Sequence, residues 1–323
     1  MCAATALPGV FLVLRGMALM SDAISHAIVP GIVCMFFITH TLDSPLLLLG
    51  AALAGLLTVI TTQAIINTQR LYQDAAIGVV FPLFFSVGVI LISRYARNVH
   101  LDTDMVLLGE LAFAPFNYIS LFGYTCGSYA LVSMTSILLL NSCFIFFFLK
   151  ELKCSTFDRQ LSQTMGFSPA FMHYGLMAIT SITTVAAFDI VGSLVVVALM
   201  ITPAASAYLL AHRVEDMIIL AIAIGAAASS VGYLCAFYAD VSVAGSLACI
   251  QGIIFLCTLL FSKNKGIIAH ITQRNTQHMK LACTILNNYC KEYPQATTTQ
   301  TAHDLNWSPS YLKKVYNHKL QNY

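Results

Sequence analysis

The chain has 323 residues, of which 58% are hydrophobic and 9% charged, with a mean hydropathy of +0.79. A soluble domain carries about 25% charged residues, so the composition excludes an ordinary globular protein and points to the membrane. A net charge of +2 excludes a chain built as a whole around nucleic acid or an acidic partner. The ten cysteines show no Cys-x-x-Cys pair and no zinc-type spacing, and read as reduced, packed thiols.

Apolar runs repeat from the N-terminus to Phe261, and the balance turns polar after Ser262. The expected fold is all-α: a polytopic membrane helical bundle of eight or nine spans over residues 1–262, with a small cytoplasmic helical tail over 263–323. Residues 1–14 are apolar but shorter than the roughly 20 residues that cross the hydrocarbon. Lacking a basic lead-in and a small-residue cleavage site, they read as a partial helix rather than a signal peptide.

The next segment, 23–39, is broken at Pro30-Gly31, as are helices that line transport pathways. At its mouth stand Asp22, Ser25 and His26. If the chain is helical from Ala23, Asp22 and His26 lie four residues apart on one face, close enough to share one ion or one proton. An aspartate at membrane depth costs about 2.5 to 3.5 kcal/mol on insertion scales, so it faces a cavity, a partner or a transported ion. Carboxylate plus imidazole suits divalent Zn, Mn or Fe better than Mg or Ca. The competing reading is that Asp22 caps the helix starting at Ala23, with His26 hydrogen-bonded nearby.

Spans follow at 46–66 and 75–93, separated by a polar loop, 67–74. Residues 94–127 carry Arg94, Arg97, His100, Asp102, Asp104, Glu110 and Pro115, and read as an extramembrane excursion with short helices. A span at 128–149 leads to the polar loop 150–171, which has a short helical pattern between Phe157 and Met165. The positive-inside rule makes this loop cytoplasmic. Four further spans are expected at 172–188, 190–211, 215–238 and 243–261. Alternate counting puts Arg70, Arg213 and the Lys263–Lys265 pair inside, in accord with their charge, whereas Arg94 and Arg97 fall outside. Small residues in 191–210, with Pro203, read as a close-packing face with a kink. Glu110, Asp189 and Asp240 read as loop or helix-end residues, with an ion route as the alternative; His40, His100, His173 and His212 read as interfacial.

In the tail, Lys and Arg outnumber the acids, and 277–292 and 309–320 have helical periodicity. The stretch TTTQTAHDLNWSPSYLKKV reads as helix, turn, helix, with Ser308 as N-cap and Pro309 at the first helical position. A basic helical pair is more often a solvated or partner-binding face than a nucleic-acid reader, so no nucleic acid is expected. The chain contains no G-x-x-x-x-G-K-[ST], G-x-S-x-G or H-E-x-x-H. It is therefore expected to carry no catalytic residue and no bound cofactor.

Taken together, VLRGMALMSDAISHAIVPGI, QDAAIGVVF, STFDRQLSQTMGF, VGSLVVVALMITPAASAYLL and DVSVAG, in this order over residues 10–262, resemble the permease subunits of bacterial ABC importers for manganese, zinc and iron. The resemblance implies that Asp22 and His26 line the path of the transported divalent ion. It also implies that Phe157, Asp158 and Gly166 belong to a coupling helix that meets a separate ATP-binding subunit. Here Leu161 stands where the family usually has a small residue, and the family's N-terminus is usually longer. The implied partners are the ATP-binding subunit, an extracytoplasmic metal-binding protein, a second permease subunit, the same or related, and membrane lipid. The implied location is the bacterial cytoplasmic (inner) membrane, multi-pass. A proton-coupled secondary transporter, with Asp22 and His26 as relay, is the alternative; the tail further resembles the start of metal-dependent winged-helix repressors, which would make the chain a permease with an added regulatory tail.

Overall fold

A computed structural model describes residues 1–40, 45–95, 118–121, 124–262, 265–293 and 298–322. Two compact units are present, Met1–Thr258 and Leu259–Tyr323. In chain order the first begins with helices α1 (Cys2–Leu14), α2 (Leu19–Ala27), α3 (Val29–Thr39), α4 (Pro45–Asn67) and α5 (Gln73–Tyr95). It continues with strands β1 (Tyr118–Leu121) and β2 (Tyr124–Ser128), then α6 (Tyr129–Phe157), α7 (Arg159–Thr164), α8 (Pro169–Leu210), α9 (Val214–Ala239) and α10 (Val243–Phe261).

Among the described residues, seven helices are long and apolar enough to cross a membrane, with α2 and α3 together forming one of them, Leu19–Thr39. The count differs from the expected eight or nine for two reasons. Helix α1 is too short, and the segments 172–188 and 190–211 are the two limbs of α8, counted together because only Gly192 parts them. Of the segment 94–127, the short helices expected fall largely outside the described residues, and the described stretches 118–121 and 124–128 form β1 and β2, which pair antiparallel. Arg97, His100, Asp102, Asp104, Glu110 and Pro115 lie outside the described residues.

Helix α1 is apolar on every side, and Ala4 through Leu12 are all buried. Such a helix belongs inside a bundle. Asn141 of α6 donates both to the Ala4 carbonyl (2.8 Å) and to Thr183 Oγ1 (2.9 Å), and Arg15 Nη1 lies 3.3 Å from His173 Nδ1. Residues 169–191 therefore run antiparallel to α1. Thr5 Oγ1 reaches the Leu199 carbonyl (3.4 Å), while Ala6 and Val10 cluster with Ala204 and Ala207, so residues 193–210 run parallel to it. The two limbs of α8 fold back on each other around Gly192, whose φ of 79° and ψ of 166° suit glycine alone.

Where lipid tails are as apolar as leucine, contact between helices depends on close packing of small residues. Ala6, Ala204, Ala207 and Ala221, all fully buried, provide it between α1, α8 and α9. The small-residue stretch 191–210 is thus a packing face. Asp240 closes α9 in the left-handed conformation and His40 does the same for α3, both at helix ends as expected. Asp189 stands three positions before Gly192, at the end of the first limb of α8.

The second unit contains α11 (Ile267–Glu292), α12 (Thr298–Asp304) and α13 (Pro309–Asn322) around a core of Ala282, Leu286, Ala302, Leu312 and Val315. Helix α12 ends in paired bonds from Trp307 N to the Ala302 carbonyl and from Asn306 N to the His303 carbonyl, with Asn306 at φ 53°. Ser308 Oγ then accepts from Tyr311 N at 3.3 Å, capping α13, whose first residue is Pro309. Helices α12 and α13 with the turn between them follow the helix, turn, helix pattern of 297–315, and α11 starts ten residues earlier than the periodicity from 277 marked.

Candidate ion path and its coupling segment

Asp22 and His26 stand on α2, where Asp22 Oδ1 and His26 Nε2 are 3.5 Å apart. The helix opens at Leu19, with Ala18 in the cap position, so Asp22 lies in the first turn and does not cap it. The capping alternative therefore falls: the helix starts one turn earlier than Ala23. Two donors held at 2.0–2.2 Å by one tetrahedral ion stand about 3.4 Å apart, so the observed separation suits a shared divalent ion. Both side chains are half-exposed, Asp22 at 45% and His26 at 31%. The imidazole lies near Phe81 (5.9 Å, tilted) and edge-on to Phe85 (6.1 Å) of α5.

Ser25 does not join them. It is buried, and its hydroxyl donates to the Ser21 carbonyl of its own helix at 3.0 Å. Among the described residues, no group of three or more His, Cys, Asp or Glu is placed to hold a metal. The helix break expected at Pro30-Gly31 falls two residues earlier, at Ile28, and Pro30 is the second residue of α3. Proline suits a helix start, where its missing N–H costs nothing.

The residues that the resemblance assigns to coupling, Phe157, Asp158 and Gly166, bound a short helix with both ends closed. Phe157 ends α6 and is 68% exposed. Asp158 caps α7: its Oδ1 accepts from Gln160 N and Leu161 N, both at 2.9 Å. At the other end Gly166 takes φ 83°, and its N–H and that of Phe167 return to the carbonyls of Gln163 and Ser162. This is a glycine-closed helix end, in which the left-handed residue satisfies carbonyls that would otherwise lack partners. Leu161 and Met165, four apart on α7 and its cap, are exposed, as is Phe157 at the end of α6.

The sequence did not single out Phe81 and Phe85 beside His26, or the contacts of Arg15 and His173. His173 Nδ1 meets the Arg15 guanidinium at 3.3 Å.

The profile of the ABC 3 transport family matches residues 1–262. The chain belongs to that family. It is 43% identical over 260 residues to the manganese transport system membrane protein MntD of Bacillus subtilis, covering 80% of this chain and 88% of that one. It is 47% identical over 265 residues to the zinc transport system membrane protein TroD of Treponema pallidum, covering 82% and 72%. Its fold matches the structure of PsaBC from Streptococcus pneumoniae in complex with Fab with a TM-score of 0.66 at 30% identity, covering 82% of this chain and 88% of that one. The ABC 3 match takes in Asp22, His26 and the coupling segment and ends where the polar tail begins.

Proposed function

We propose that this chain is a transmembrane subunit of an ATP-driven importer of divalent transition-metal ions, Mn, Zn or Fe, with ATP hydrolysed on a separate subunit. The observation that carries the proposal is the Asp22–His26 pair on a chain of this family, at a spacing that suits one shared ion. A half-exposed carboxylate on a membrane helix is unfavourable against lipid and favourable against an aqueous route. Two ligands do not close a metal shell, so water or a second permease subunit, the same or a related chain, supplies the rest. The metal is cargo, delivered by an extracytoplasmic metal-binding protein, and no bound cofactor takes part.

In this reading, residues 1–262 form the permease domain in the bacterial cytoplasmic (inner) membrane, and 263–323 form a cytoplasmic tail without a nucleic-acid role. The fold-back of α8 at Gly192 gives eight crossings in place of seven. The segment Phe157–Gly166 docks on the ATP-binding subunit through its exposed apolar side chains. A proton-coupled secondary transporter would use the same pair of residues, but it has no need of a capped, outward-facing helix at 158–166.

The test is co-purification with the ATP-binding subunit. Asp158→Ala removes a cap worth about 1 kcal/mol, and Gly166→Pro removes both the left-handed conformation and the N–H that bonds to Gln163; either is expected to release that subunit. Full retention of the subunit by both variants, or metal uptake driven by a pH gradient without ATP, would overturn the reading.

A further inference from the structure

Arg15 follows α1 directly and precedes Asp22 by two turns of chain. Its guanidinium meets three polar atoms on two other elements. Nε donates to Thr156 Oγ1 and Nη2 to Ser155 Oγ, each at 3.1 Å, and Nη1 meets His173 Nδ1 at 3.3 Å. A guanidinium only donates, so Nδ1 accepts and the His173 ring proton sits on Nε2. Ser155 and Thr156 lie in the last turn of α6, just ahead of the Asp158 cap, and His173 lies in the first turns of α8, just after the coupling segment. One side chain therefore holds both stems of that segment.

The cation is held at some cost. Burial lowers its pKa to about 10, which leaves it charged at neutral pH. Among the described residues, no carboxylate forms an ion pair with it. An apolar residue of similar size packs such a site without that desolvation penalty, so packing does not account for an arginine here. What arginine adds is a planar fork that serves three acceptors at once, which lysine's single ammonium cannot reproduce.

From Arg15 the backbone turns at Gly16 (φ 69°) into α2. Met17 and Met20 are buried in the same cluster as Ile24 and Ile28, so the turn and the helix carrying Asp22 and His26 are packed as one body. We infer that Arg15 is a positioning residue that links the coupling segment to the Asp22–His26 pair, so that a displacement of α7 reaches the ion path through its three hydrogen bonds. This inference rests on the importer reading above.

The experiment uses the full chain, assembled with its ATP-binding subunit and binding protein in proteoliposomes. Uptake of Mn²⁺, Zn²⁺ or Fe²⁺ and ATP hydrolysis are measured on the same vesicles. Arg15→Gln is expected to retain the ATP-binding subunit and basal hydrolysis while moving about tenfold less metal per ATP, within the usual range of coupling between sites. Arg15→Lys should fall between the two. If Arg15→Gln does not assemble, the double variant Ser155→Ala/Thr156→Val keeps the cation, removes two of its acceptors and decides the matter. An unchanged ratio of metal moved to ATP hydrolysed overturns the link, including the case where uptake and hydrolysis fall together as they would for a purely structural role. Absence of ATP-driven uptake by the unmodified complex overturns the importer reading itself, and the link with it.

Discussion

Whether Asp22 is a helix cap or a ligand depends on where α2 begins. The sequence supplies the i, i+4 pair but no start signal, since Ala18, the residue in the cap position, has no side-chain acceptor. The pair was therefore legible as a pattern, while the choice between its two meanings required the helix boundary. His26's aromatic neighbours were not legible, because Phe81 and Phe85 approach from α5 across more than fifty residues of chain. Gly192 is the other decisive residue. Its backbone lies in a region that L side chains enter at a cost of about 1–3 kcal/mol. Gly192→Ala should lower the thermal unfolding midpoint of the purified protein in detergent, and an unchanged midpoint would contradict the fold-back of α8 described above.

At the scale of elements, the coupling segment is the clearest case of sequence dictating form. The sequence marks a short helical pattern between Phe157 and Met165, and a helix is found there, capped by Asp158 and closed by Gly166. The stems around that helix were hidden, because Arg15 meets Ser155, Thr156 and His173 only through tertiary contacts spanning 140 to 158 positions. The run 172–211 was divided correctly at its centre, yet no polar loop marks the division, and a single glycine turns the chain. The strand pair was hidden for a physical reason as well: YISL and YTCGS have the aromatic and β-branched content of strands, but the charged residues just upstream give 94–127 a mixed, extramembrane character.

For the whole molecule, the chain divides into a large apolar unit and a small polar one with its own core. Leu286, fully buried at the centre of that core, should cost about 2–5 kcal/mol when cut to Ala. Leu286→Ala is expected to speed proteolysis of 265–322 while leaving metal uptake intact, and loss of uptake would tie the tail to transport. The central claim concerns the large unit, that Asp22 and His26 line the route of a divalent ion. Its most direct test is ATP-driven uptake of Mn²⁺, Zn²⁺ and Fe²⁺ into proteoliposomes by the unmodified complex and by Asp22→Asn and His26→Ala. The account predicts uptake of at least one ion by the unmodified complex and a fall of about 10–100-fold in each variant, the scale on which altered metal sites lose affinity. Uptake by both variants equal to that of the unmodified complex would contradict it.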